Sequence, residues 1–173
     1  MAELEADLIA AAQFIGNIRS HARTQIRRAA ACLLEQENGN SWKLVYQSRI
    51  DYPREIWPYL KIYSDSEDCE RISIHTPHAQ QRTLSLLIVA LIRIGPGETE
   101  TIEDKMDQTS VAIESLMNET ELRTKLNYIT MLDLISSRMD VILLTDESVS
   151  HAELTMSYRV QYHTFEGMPD GFI

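Results

Sequence analysis

A chain of 173 residues, 44% apolar and 24% charged, has the composition of one globular domain, large enough to form a core without staples. With 16 basic and 26 acidic residues its net charge is −10, the wrong sign for a sequence-independent grip on nucleic acid. No apolar run approaches the roughly 20 residues of a membrane helix, and Cys32 and Cys69 have no CxxC spacing, which points to two free thiols.

The start, Met-Ala-Glu-Leu-Glu, is acidic where a signal peptide would be basic, and predicts a cytosolic product. Residues 3 to about 36 read as helix, because Leu4, Leu8, Ala11, Ile15, Ile18, Ala22, Ile26, Ala29 and Leu33 recur at spacings of three and four. Gly16 interrupts the pattern, and Asn38-Gly39-Asn40 ends it with residues that tolerate positive φ. Arg19, Arg23 and Arg27 fall at i, i+4 and i+8, a basic stripe that is either a solvated face or a contact for an acidic neighbour. Trp42 to Ile50 reads as a short strand, followed by a turn at Asp51-Tyr52-Pro53. Tyr59 to Tyr63 resumes in extended form after Trp57-Pro58.

Ser64 to Cys69 reads as an acidic loop. Its carboxylates Asp65, Glu67 and Asp68 lack the glycine and the twelve-residue frame of a calcium loop. Arg71 to His75 is a further short strand. Thr83 to Ile94 is the most apolar segment: Leu84, Leu86, Ile88, Ala90, Ile92 and Ile94 line one face, and Leu87, Val89 and Leu91 add apolar groups to the other. Such a strand is expected to be covered twice, by helices on one side and by a second layer or another subunit on the other. Gly95-Pro96-Gly97 stops it, and Thr99 or Thr101 caps a helix whose first turn is rich in acid. Ile102, Met106, Ile113, Leu116 and Met117 lie on one face of that helix, which should cross the sheet.

From residue 120 the pattern predicts a short helix to about 127, then a half-polar strand from about 130 to 142. Asp146-Glu147-Ser148 turns into the final strand, His151 to His163. There Ala152, Leu154, Met156, Tyr158, Val160 and Tyr162 alternate with polar residues at strict period two. The tail after Phe165 looks extended. The whole is one α+β domain, a mainly antiparallel sheet with helices on one face.

No chemical signature stands out. GxSxG, P-loop, GxGxxG and HExxH patterns are absent, and His75, His78, His151 and His163 read as surface groups without the three or four convergent ligands zinc needs. No catalytic, cofactor-binding or metal-binding residue is expected, nor an enzyme.

In its order of elements the chain resembles the tail terminator proteins of long-tailed bacteriophages, the lambda-type minor tail protein family. The resemblance runs over residues 19–163. It includes the helix ending Ala-Ala-Cys-Leu-Leu-Glu-Gln, the segment WPYLKIY, the strand RTLSLLIVALIRI with its following helix, and the closing AELTMSYRVQY. The chain departs from the compact family form in an N-terminal extension (1–18), a longer 118–148 connection and a C-terminal tail (164–173).

What the resemblance implies is a structural virion protein, assembled in the host cytoplasm and placed at the head-proximal end of the tail. Such terminators form a hexameric ring that caps the tail tube, stops its growth and offers a docking surface to the head connector or neck protein. The Arg19, Arg23 and Arg27 stripe and the Leu87, Val89 and Leu91 face are the candidate subunit or partner patches, since a ring needs two different patches per copy. Genomic DNA would pass through without specific binding, so acids such as Asp65, Glu67, Asp68, Glu98 and Glu100 are candidate lumen residues. Alternatives are a neck, head-completion or tail-completion protein, or a generic α+β partner-binding module.

Overall fold

The computed structural model describes residues 21–36, 42–47, 49, 57–95, 99–143 and 150–172. Among them are three helices and six strands: α1 (Ala22–Gln36), β1 (Leu44–Tyr46), β2 (Tyr59–Arg71), β3 (Ala79–Ile94), α2 (Ile102–Leu116), α3 (Glu119–Lys125), β4 (Ile129–Leu143), β5 (Ser150–Phe165) and β6 (Met168–Phe172). The expected helix over 3–20, with Arg19, lies outside the described residues. So do Asn38-Gly39-Asn40, Asp51-Tyr52-Pro53, Pro96 to Glu98 and Asp146-Glu147-Ser148.

The strands form one sheet in the order β1-β2-β3-β5-β4, with β6 paired to the end of β5. Every pairing is antiparallel except β1 with β2. The α+β class and the mainly antiparallel sheet are as the sequence predicts. The centre is β3 against β5, in register from Ala79↔Phe165 to Ile94↔Ser150 without a shift. Even-numbered residues of both strands share one face, where Leu84, Leu86, Ile88, Ala90, Ile92, Leu154, Met156, Val160 and Tyr162 are fully buried. Ile26, Ala30 and Leu34 of α1 and Met106 and Ile113 of α2 join the same core. A side chain of this size contributes about 1.5–3 kcal/mol when fully buried, so this face alone fixes the register.

Local chemistry sets the helices. Thr101 caps α2, its hydroxyl accepting from the Asp104 amide at 3.1 Å, and Glu103 and Asp104 sit at the positive end of the dipole. Asn118 caps α3 in the same manner through the Glu121 amide at 2.9 Å. On β5 the turn into β6 uses Gly167 at φ 75°, a conformation that suits glycine.

Two expectations need correction. Ser64 to Cys69 is strand, part of a β2 that runs unbroken to Arg71, and residues 72–78 form the turn where a further strand was expected. The polar run stays extended because its partner β3 is equally long and supplies ladder hydrogen bonds down to Arg71↔Gln80. A bulge between Ser64 and Glu67 then turns Glu67 inward, opposite Leu84. On β4, shifts between Ile129 and Met131 and between Leu134 and Ser136 likewise break the alternation the sequence suggests.

The face assignment is open to test by denaturant unfolding. Ile88→Ala should cost about 2–5 kcal/mol through the lost methylenes and the cavity. Val111→Ala, on a side chain 69% exposed, should stay within about 0.5 kcal/mol. Equal losses would contradict it.

Candidate functional site

The predicted patches occupy different parts of the sheet. Leu87, Val89 and Leu91 point away from the helices, as their odd numbers require. Val89 is 2% exposed, and Leu87 and Leu91 are half-buried. At one end of this outer face Trp57 supplies partial cover, its ring 5.3 Å from Tyr59 and 4.9 Å from that of His151 on β5. Farther along, Ser66, Asp68, Thr83, Ser85, Ile135, Ser157 and Arg159 border a shallow depression of about 200 Å³. That volume is below the roughly 300 Å³ of small-molecule pockets.

Arg23 and Arg27 sit elsewhere, over the polar end of the inner face. The bulge in β2 brings the Glu67 side chain, 10% exposed, under the start of α1. Arg82 donates to Glu67 Oε2 at 3.0 Å, to Thr164 Oγ1 at 2.8 Å and to Gln80 Oε1 at 3.2 Å. Tyr162 donates its phenol to Glu67 Oε1, and Arg23 Nε lies 3.8 Å from Oε2. Arg27 donates to Ser64 Oγ at 3.1 Å, while its Nε is buried without a partner. Nearby, Tyr128 meets the Tyr162 ring edge-on at 6.1 Å and donates to Gln25 at 3.3 Å. Two guanidinium groups, those of Arg82 and Arg23, therefore meet one carboxylate, with Arg27 held beside them by Ser64. This cluster ties α1 to β2, β3 and β5, and leaves the locality net positive in a chain of charge −10.

The acids proposed for a lumen do not form one group. Asp65 is exposed and pairs with Arg49 at 2.9 Å. Asp68 is exposed and borders the outer depression, whereas Glu100 accepts from Gln108 beside the start of α2. Glu98 lies outside the described residues. Glu67 belongs to the inner cluster, and its burial removes it from any solvent-facing ring of acids. Reading β2 at period two sets Glu67 in phase with Lys61 and Tyr63; the bulge reverses that. The available signal was Arg82, which falls in phase with Leu84, Leu86 and Ile88: an arginine pointing inward requires an acid.

No group of three or more His, Cys, Asp or Glu suited to a metal occurs among the described residues, nor does a helix long and apolar enough to cross a membrane. Three tyrosines are shifted. Burial, and then the hydrogen bond and charge of Glu67, hold the Tyr162 phenol well above its ordinary 10.0. Burial does the same for Tyr128, and for Tyr158 with Glu114 adding to it. With folded values raised, their stabilising contribution is fully present below pH 10 and is lost as pH climbs beyond it.

Tyr162 and Tyr158 differ in one respect: the Tyr158 hydroxyl is buried without a partner. Tyr162→Phe removes a hydrogen bond to a carboxylate and should cost about 1.5–3 kcal/mol in urea unfolding. Tyr158→Phe should be neutral or stabilising, because it deletes an unsatisfied polar atom. The reverse ranking would refute the cluster's role in holding α1.

No protein-family profile matches the chain, and no curated protein does. Among solved structures, a chain from the virion of a native gene transfer agent particle aligns over 85% of this chain and 96% of that chain, at 13% sequence identity and a TM-score of 0.38.

Proposed function

We propose that this chain is a structural virion protein that caps a phage tail tube as a hexameric ring, ends tube growth and presents the surface on which the head connector docks. The observation that carries the reading is β4, a 15-residue strand at the edge of the sheet with Ile135, Met139 and Val141 each more than 40% exposed. A long apolar edge is an association liability that a solitary domain blunts and an assembling one uses. The doubly apolar β3 supports it, since Leu87 and Leu91 have area left to bury. So does the resemblance in element order to the tail terminators.

In this reading Arg23 and Arg27 have two tasks. Toward the interior they hold α1 through Glu67 and Ser64. Toward solvent, where the Arg23 side chain is 47% exposed, their surplus charge meets acidic groups of a neighbouring subunit or of the tube protein. The lumen is neutral to negative, with Asp65, Asp68 and Glu100 as the candidates among the described residues. Inward lysines or arginines, repeated six times, would hold DNA phosphates during ejection. The protein performs no catalysis.

The test is a tube-growth assay. Added to polymerising tail-tube protein, the chain should halt elongation at a fixed ratio of ring to tube end, and light scattering should report a ring of defined mass. Leu87→Asp should weaken both effects by placing an unpaired charge in the contact. Tubes that lengthen at the normal rate in its presence would overturn the reading.

A further inference from the structure

Exposed apolar side chains gather at two places on the sheet. The first is the tip of the β2–β3 hairpin with the neighbouring β5–β6 turn, where Ile72 is 48%, Ile74 88% and Met168 51% exposed. This tip is held in shape. Ser73 Oγ accepts from the Ala79 amide at 2.8 Å, the Ile72 amide donates to Ala79 O at 2.9 Å, and the Glu166 amide donates to His78 O at 2.8 Å. Arg71 pairs with Glu166 at 3.1 Å and joins the two turns. The second place is the helix-side face of β4 at the edge of the sheet, with Leu134 at 38%, Met139 at 43% and Val141 at 43% exposed, in register with Tyr158, Leu154 and Ala152.

The two lie toward opposite ends of the same sheet. The tip adjoins the Ala79↔Phe165 pair, while Met139 and Val141 are paired with Leu154 and Ala152. Phe165 and Leu154 stand eleven positions apart on β5, roughly 35 Å of strand.

We infer that the hairpin tip of one copy packs against the β4 edge of the next, making the head-to-tail contact of a closed ring; the inference rests on the ring reading above. Each cluster bares on the order of 300 Å² of apolar surface, the scale at which a surface patch acts as an interface. One contact that joins tip to edge covers both clusters in every copy. With its polar rim it approaches the roughly 1,200 Å² of total burial that a specific interface needs. A two-fold contact of tip on tip, or edge on edge, leaves the other cluster bare, and only the unlike pairing propagates round a ring.

Because the two halves are different surfaces, mixing distinguishes them. Ile74→Lys disables the tip and Met139→Lys the edge, and both sites are exposed, so circular dichroism and melting should match the parent. By light scattering the parent should form the ring and each variant alone should be monomeric. An equimolar mixture should give dimers, because one intact tip and one intact edge remain. If the parent forms no ring at any concentration reached, the ring reading fails and takes this contact with it. If the parent forms a ring and either variant does too, or the mixture stays monomeric, the ring reading stands and the tip-to-edge contact is overturned.

Discussion

Sixteen pairs join β3 to β5 without a register shift, and the inward face of that ladder is apolar from Leu84 to Ile92 and from Ala152 to Val160. Everything else hangs from it. β2 pairs with the free side of β3, β4 and β6 pair with the free side of β5, and α1 and α2 close over the shared face. A slip of one residue would send every inward side chain to the other face, so the alternate registers lie many kcal/mol away. That rigidity lets the outlying parts, the hairpin tip and the β4 edge, keep fixed positions relative to one another.

The inner face does not stay apolar to its end. Beyond Leu84 and Val160 it turns polar, with Glu67, Arg82, Tyr162 and Thr164 bonded to one another and to Arg23 of α1. Burying one carboxylate is tolerable here because two guanidinium groups and a phenol satisfy it. The result anchors the start of α1 through directional bonds, while the rest of that helix is held by Ile26, Ala30 and Leu34 in the core. A surplus of positive charge is left over at this end of the helix layer, where the Arg23 side chain is 47% exposed.

Much of this was legible in the residues. Strict alternation located β5 and β3 to within a few residues, and the 3.6 period with Thr101 located α2, since in those segments burial alone dictates the pattern. β4 was found at nearly its full length, although its two bulges reassign faces that alternation cannot foresee. β2 was readable only to Tyr63. From Ser64 onward its sequence is polar, and what keeps it extended is its hairpin partner β3, paired with it down to Arg71↔Gln80, which no pattern within β2 reveals. The bulge that turns Glu67 inward leaves no trace in β2 itself; its cause is visible only in the inward Arg82 and Tyr162 on other strands. The exposed Ile74 could not be singled out before the turn around it was known, because one isoleucine between Ser73 and His75 matches no periodic template.

In the proposed reading the protein is a joint: a stiff sheet whose apolar remainder is finished by copies of itself. The most direct test of that reading is an electron-microscopic map of the intact virion that carries the protein, with the chain traced by its own side chains. The account predicts one ring of six copies at the head-proximal end of the tail tube, with acids or neutral groups facing the channel. Copies repeated along the tube, a place within the head shell, or unpaired lysines and arginines lining the channel would contradict it.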